Sequence, residues 1–175
     1  MKKIIAFGAS SSKTSINKQL ATYAANQFQN SEVEVLDLND FELPIYSTDK
    51  EKETGIPQLA TDFYTKLGTA DLIIISFAEH NGAYSAAFKN IFDWISRING
   101  KTFQEKPMLL LATSPGARGG SSVLEIAKNR FPFQGGTVKG VFSLPSFYEN
   151  FDIVNGIINE DLKQQLLGII SAIEL

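Results

Sequence analysis

The chain has 175 residues, 43% apolar and 20% charged, with a formal net charge of −3; this supplies one sizeable core and no basic surface of the kind that binds nucleic acid. There is no cysteine and only one histidine, His80, which excludes a disulfide frame, a thiolate nucleophile, a cysteine-held cluster and a histidine-built zinc centre. No segment approaches the ~20 apolar residues of a membrane-spanning helix, and the N-terminal apolar run is too short for a signal-peptide core, so a cytoplasmic protein with no metal site, no nucleic-acid partner and no membrane partner is expected.

"KKIIAFG" is a short apolar run closed by a glycine and reads as a buried strand. From Ser15 onward Ile16, Leu20, Tyr23, Ala24 and Phe28 recur at three- and four-residue steps, the buried stripe of a helix. "EVEVLDL", residues 32–38, returns to strand character, and "FELPIYSTDKEKETG" reads as a polar loop. Leu59, Phe63 and Leu67 place a helix over residues 57–69. "DLIIISF" is the most apolar run and predicts a central strand. Ala86, Ala87, Ile91, Trp94, Ile95 and Ile98 mark the next helix, with Trp94 on its core face. "PMLLLAT" is a fourth strand, residues 121–130 a helix, "VKGVFSL" a fifth strand and residues 159–173 a final helix.

Five strands alternating with helices imply parallel pairing through right-handed crossovers. Continuous apolar runs are those of a sheet covered on both faces. The expected architecture is therefore an α/β three-layer sandwich, flavodoxin-like, with a five-stranded parallel sheet in the order 2-1-3-4-5, and one domain over residues 1–175.

Such sheets bind ligands outside the carboxyl ends of their strands, where the strand order reverses. Three loops lie there: "GASSSKTSIN", "AEHNGAYS" and "SPGARGG". The first opens a helix, whose free N–H groups and dipole favour an anion. Ser10, Ser12, Ser15 and Asn17 add donors and Lys13 adds charge; Ser15 is equally suited to capping the helix. Ser12 stands where a Walker A loop needs glycine, and Ser10 where a dinucleotide fingerprint needs one. Hydroxyls that surround an anion suit a terminal monophosphate, such as that of FMN, better than a pyrophosphate. In the second loop Asn81-Gly82 permits a tight turn, with Glu79 and His80 at its mouth or, for His80, simply in solvent. In the third, Ser114-Pro115 leads to Gly116, Gly119 and Gly120, which allow close backbone approach to a planar ring; Arg118 faces an anion or idles on the surface.

These segments resemble the NADPH-dependent FMN reductase family. "SINKQLA" is similar to its S-x-N-x-x-L segment, "AEHNGAYSAAFKNIFDW" to its P-E-Y-N-G-S-x-x-x-x-L-K-N-x-x-D-W segment, "SPGARGG" to S-x-G-x-x-G-G and "LPIY" to L-P-x-Y. The resemblance implies bound FMN, reduction by NAD(P)H, and a homodimer or homotetramer. It implies that Ser10, Ser12, Ser15 and Asn17 hold the phosphate, that Glu79, His80, Asn81 and Gly82 contact the flavin and its ribityl chain, and that Ser114, Gly116 and Gly119 lie along the ring. The chain departs from the family at Ser12, where arginine is frequent, and at Ala78 and His80, which replace proline and tyrosine.

The implied activity is hydride transfer from NAD(P)H through flavin N5 to a quinone, azo compound, free flavin or metal oxyanion, with no acid–base residue of the protein required. Two alternatives compete: a flavodoxin-type electron carrier, and a homologue that has lost its cofactor and serves as a binding or regulatory protein. Phe88, Phe92 and Ile95 lie on a second apolar flank of their helix, which predicts a second burial partner. A second copy of the chain is one choice; the segment "SFYENFDIVNG" folding over the flank is the other.

Overall fold

The computed structural model describes residues 1–174. Strands β1 (Lys2–Ala9), β2 (Ser31–Leu36), β3 (Leu72–Phe77), β6 (Lys106–Thr113) and β7 (Gly136–Leu144) form one parallel sheet in the order β2-β1-β3-β6-β7. This is the expected 2-1-3-4-5 order. Two short antiparallel hairpins were not legible in the sequence: β4 (Glu79–His80) with β5 (Ala83–Tyr84), and β8 (Phe151–Asp152) with β9 (Gly156–Ile157).

Period-two side-chain alternation divides the core between the two faces of the sheet. Ile5 and Phe7 of β1, with Ile73, Ile75 and Phe77 of β3, meet helices α3 (Gln58–Gly68), α4 (Ala86–Ile98) and α5 (Ser121–Arg130). Ile4, Ala6, Leu72 and Ile74 face α1 (Ile16–Ala25) and α7 (Glu160–Ser171). Every residue of β3 is buried, as expected of a central strand covered on both sides.

The stretch read as a loop after β2 contains two elements. A 3₁₀ turn, Leu38–Phe41, starts on the Asp37 side chain, which accepts the Asn39 N–H at 2.9 Å. Helix α2 (Thr48–Thr54) is capped by Ser47, whose hydroxyl oxygen accepts the Lys50 N–H at 3.2 Å. None of its residues is buried, so no apolar period announces it, and the cap was its one signal.

The second flank of α4 is already covered within the chain. Phe88 and Ile95 are buried and Phe92 is 6% exposed. Phe92 stacks on Phe88 and Phe103 at ring-centre distances of 5.5 and 5.7 Å and meets Phe131 at 5.6 Å. Phe103 lies before β6, and Phe131 opens the 3₁₀ turn Phe131–Gln134 before β7; the Phe103 N–H donates to the Gln134 carbonyl at 2.9 Å, which closes these turns over the helix. The expected intersubunit contact at Phe88, Phe92 and Ile95 is therefore corrected. So is its alternative. The segment after β7, including α6 (Phe147–Asn150), packs on the α1 side, where Phe151 stacks on Phe147 at 4.7 Å and meets the edge of Tyr23 at 5.7 Å. Trp94 is in the core as expected, its Nε1–H donating to the Pro44 carbonyl at 2.8 Å.

Candidate functional site

The strand order reverses between β1 and β3, and a cleft of about 230 Å³ opens there beyond the carboxyl ends of β1, β3 and β6. The first loop contributes Ser10, Ser12, Thr14 and Ser15, the second Ala78, Glu79 and His80, and the third Thr113, Ser114 and Pro115. The three loops singled out from the sequence thus meet at one place.

Ser15 is the N-cap of α1 and accepts the Lys18 N–H at 3.1 Å. Its hydroxyl proton is left for a ligand, so capping and anion binding are compatible. The first-turn N–H groups of Ile16 and Asn17 have no intrahelical acceptor, and they open on the same cleft as Ser15. Ser10 shapes the loop by accepting the Ser12 N–H at 3.1 Å.

Asn17 behaves differently from expectation. It is 3% exposed. Its Nδ2 donates to the Thr113 carbonyl at 3.1 Å, while its Oδ1 accepts the Thr113 N–H at 3.0 Å and the Ser76 hydroxyl at 2.7 Å. The side chain is occupied by the ends of β3 and β6. What Asn17 offers the cleft is its backbone N–H, and its carboxamide acts as a tie between loops.

Lys13 also departs from the expected arrangement. It lines a second, larger groove of about 580 Å³, on the other side of the same loop. That groove lies between α1 and the β8–β9 hairpin, away from the switch point, so its size does not make it the cofactor site. Lys18 is no substitute cation, since its Nζ pairs with Asp37 at 2.6 Å. Burial raises the Asp37 carboxyl, but the Lys18 bond and two bonds from Asn39 outweigh it and hold Asp37 below its ordinary value. The cleft therefore meets an anion with helix N–H groups and hydroxyls rather than with a paired-up lysine.

In the second loop, Asn81 and Gly82 have φ of 54° and 76° and form the two-residue turn between β4 and β5. Left-handed backbone at both turn positions is what Asn-Gly tolerates best. Both sit at the hairpin tip, beyond the cleft lining, whereas His80 is an exposed residue at the cleft wall. Glu79 lines the cleft, and its Oε2 accepts the Val123 N–H at 2.9 Å. That bond supplies the cap that Gly120, the N-cap of α5, has no side chain to give.

The third loop is anchored from behind. The Phe147 N–H donates to the Ser114 carbonyl and the Ser146 N–H to the Gly116 carbonyl, both at 3.0 Å. The Ser143 hydroxyl donates to the Gly119 carbonyl at 2.9 Å. Gly119 and Gly120 are buried with positive φ, and a Cβ on Gly119 would run into Ser143 and Leu144. Gly119 packs the loop onto β7 and Gly120 packs it onto the end of β6, and of the stretch "SPGARGG" Ser114 and Pro115 line the cleft. Arg118 donates to the Ser122 hydroxyl at 2.7 Å on the exposed surface. Thr14, Ile16, Ala78, Thr113 and Tyr148 also line the cleft and were not among the candidate site residues. Thr14 lay inside the quoted loop, and Tyr148 is a largely exposed aromatic on α6 whose one signal was its place in "SFYENF".

A doubly wound parallel sheet with a hydroxyl-lined cleft at its switch point, beside a helix N-terminus, defines a flavodoxin-like fold with a candidate anion site. The sequence model of "NADPH-dependent FMN reductase" matches residues 2–149, and the chain belongs to that family. It is an FMN-dependent oxidoreductase that uses NAD(P)H, which sets aside the flavodoxin-type carrier.

Among relatives, an uncharacterized protein of Mycoplasma pneumoniae is 32% identical over 146 residues, covering 81% of this chain and 86% of its own. A quinone reductase of Escherichia coli is 30% identical over 80 residues; the match spans 46% of this chain and only 43% of that enzyme. An NADPH azoreductase of a Bacillus species is 29% identical over 122 residues, covering 70% of this chain and 64% of the enzyme. Among solved structures, FerB, a flavoenzyme NAD(P)H:(acceptor) oxidoreductase from Paracoccus denitrificans, superposes with a TM-score of 0.78 at 23% identity, covering 98% of this chain and 94% of FerB. That likeness bears on the fold. No helix among the described residues is long and apolar enough to cross a membrane.

Proposed function

We propose that the chain is a cytoplasmic oxidoreductase that passes hydride from NAD(P)H, through the N5 atom of FMN, to a small acceptor: a quinone, an azo compound, a free flavin or a metal oxyanion. The observation that carries this reading is the switch-point cleft, where helix N–H groups converge with the hydroxyls of Ser10, Ser12, Thr14 and Ser15, and where the Glu79 carboxylate in the lining accepts the Val123 N–H through Oε2. A phosphate monoester suits that donor set, because it can be surrounded by side chains; a pyrophosphate would need a glycine-lined passage that this loop lacks.

In this reading Ser10, Ser12, Thr14 and Ser15, with the N–H groups of Ile16 and Asn17, hold the phosphate. Glu79 holds the second loop against the third, and His80, Ser114 and Pro115 form the wall along which the flavin lies. Asn81 and Gly82 shape the hairpin beside it, and Gly116, Gly119 and Gly120 shape the loop behind it. Bound FMN supplies two-electron chemistry between a reduced nicotinamide and the acceptor. The protein's part is to orient the ring, fix the phosphate and exclude water from one face. We read residues 1–175 as one such domain, assembled as a homodimer or homotetramer on the strength of the family resemblance, with an interface elsewhere than the Phe92 flank.

The test is the absorbance spectrum of the purified protein, identification of the released flavin, and titration of the apoprotein with FMN and with FAD. NADPH and NADH oxidation is then followed with a quinone, an azo dye and free FMN as separate acceptors. The expected result is a flavin spectrum, tighter binding of FMN than of FAD, and acceptor-dependent oxidation. A protein that stays colourless after FMN addition would favour the cofactor-free alternative.

A further inference from the structure

The groove of about 580 Å³ is unused by the reading above. Its volume falls within the roughly 300–1,000 Å³ typical of small-molecule sites. It is lined by Gln19 and Tyr23 of α1, by Asn26 at the C-cap of that helix, by Ile153 and Val154 of the β8–β9 hairpin, and by Lys13 ahead of the helix N-terminus. The hairpin lies beyond residue 149, where the family match stops. One wall of the groove therefore belongs to a part of the chain for which family membership gives no account.

The wall is built rigidly. Asp152 Oδ1 accepts the Val154 N–H at 3.0 Å, the Asn155 N–H at 2.8 Å and the Asn155 side-chain amide at 2.8 Å, which locks the hairpin tip. At its base Gly156 lies directly against the Tyr23 ring, where any Cβ would overlap it. Ile153 and Val154 are nonetheless 79% and 85% exposed. Apolar side chains fixed beside a cavity offer a ligand burial without any ordering of the wall.

The polar groups have a direction. Lys13 takes part in no ion pair among the described residues, whereas Lys18 is neutralised by Asp37. The free positive charge thus sits at the N-terminal end of α1, the end where the helix dipole also favours an anion. Ten residues of α1 span about 15 Å; Gln19 in that helix and Asn26, its C-cap, carry carboxamides, each both donor and acceptor.

We propose that this groove is a second ligand site, for an aromatic small molecule of mononucleotide type: its anionic group at Lys13 and Thr14, its planar body against Tyr23 beneath Ile153 and Val154, and its heteroatoms met by Gln19 and Asn26. Thr14 and Ser15 line both this groove and the cofactor cleft. An occupant therefore touches the phosphate-binding loop from the side opposite the flavin.

The probe is adenosine 5′-monophosphate, titrated into the protein saturated with FMN and followed by amide shifts in ¹⁵N–¹H spectra. Saturable shifts are expected in α1 and in residues 151–156, with those of residues 78–80 and 113–115 small. Gln19→Glu and Val154→Glu, neither of which lines the cleft, are expected to weaken the probe at least tenfold while FMN binding and the melting temperature stay unchanged. The proposal is overturned if the probe gives no saturable shifts, if it shifts the cleft residues instead, or if either variant with intact melting binds it as tightly as the parent. Inorganic phosphate binding as tightly as the nucleotide would also overturn it, since the aromatic body would then contribute nothing.

Discussion

Glu79 Oε2 accepts the backbone N–H of Val123 at 2.9 Å across 44 residues of chain. Glu79 belongs to the second loop of the cleft, and Val123 to the first turn of α5, the helix that follows the third loop. Gly120 begins α5 with a left-handed backbone and no side chain to cap it, so the first turn of that helix depends on a carboxylate from the neighbouring loop. A negative charge also suits the N-terminal end of a helix. The second and third loops are coupled in this way before any ligand is considered.

Removing that coupling gives the first prediction. Glu79→Ala is expected to lower stability by about 1 kcal/mol, the usual loss for a helix cap, and to weaken FMN binding as the third loop loosens. Glu79→Gln keeps an acceptor oxygen and is expected to recover most of both. Urea unfolding of the apoprotein and an FMN titration read the two effects separately. Alanine behaving like wild type in both would show that the Val123 bond holds nothing.

Ser15 and Asn17 are expected to separate binding from stability. Ser15→Ala loses about 1 kcal/mol of stability through the cap and a further factor in FMN affinity through the lost hydroxyl. Asn17→Ala strands the Ser76 hydroxyl and both backbone groups of Thr113 in a buried place, and each stranded group costs about 1–3 kcal/mol. Its main effect is therefore a large drop in the unfolding midpoint. An Asn17→Ala protein of native stability with poor FMN affinity would reverse these assignments.

Phe92→Ala is expected to destabilise the protomer by about 3 kcal/mol or more, the usual loss for a buried phenylalanine, and to leave the oligomeric state of the folded fraction unchanged. Light scattering alongside thermal unfolding checks this. A variant that melts normally but has dissociated would restore the flank of α4 as an interface.

Tyr84 supplies a pH-dependent case. Its hydroxyl is buried without a hydrogen-bond partner, and burial pushes its pKa up to about 12, against a small lowering influence from Arg130. The unfolded chain releases this proton near pH 10, the folded one near 12. Between those values the unfolded state gains charge that the folded state resists, so stability falls as pH rises. Tyr84→Phe is expected to abolish this share of the alkaline loss and, by removing an unsatisfied hydroxyl, to raise stability near neutral pH by about 1 kcal/mol. Melting curves of both proteins from pH 8 to 11.5 provide the measurement. A less stable phenylalanine variant would mean that the hydroxyl has a partner in solution.

The strands and the long helices were legible because burial on one or both faces leaves a period in the sequence. "LIIISF" could be read as a central strand, and Leu59, Phe63 and Leu67 as a stripe; α3 runs Gln58–Gly68. Helix α2 has no buried residue and so leaves no such period. The loops that meet at the cleft were found by their small polar residues, but the direction of each side chain was not. Asn17 looked like an anion donor because a carboxamide at a helix N-terminus has the right atoms; that its partners are Ser76 and Thr113 depends on where β3 and β6 end. Phe92 looked unpartnered because its covers, Phe103 and Phe131, come from distant turns that carry no periodic pattern of their own.

The ties behind the cleft bear on how a ligand arrives. Asn17 joins the first helix to β3 and β6, Ser85 joins the second loop to β1 through a 2.8 Å bond to the Ala9 carbonyl, and Ser143 holds the third loop from β7. The walls have one arrangement in common before anything is bound. Little conformational freedom is left for an incoming cofactor to remove, so its association needs no folding of a loop around it. Substitutions at Ser76, Ser85 or Ser143, none of which lines the cleft, would act on affinity by restoring that freedom to the empty protein, with every contact to the ligand left in place.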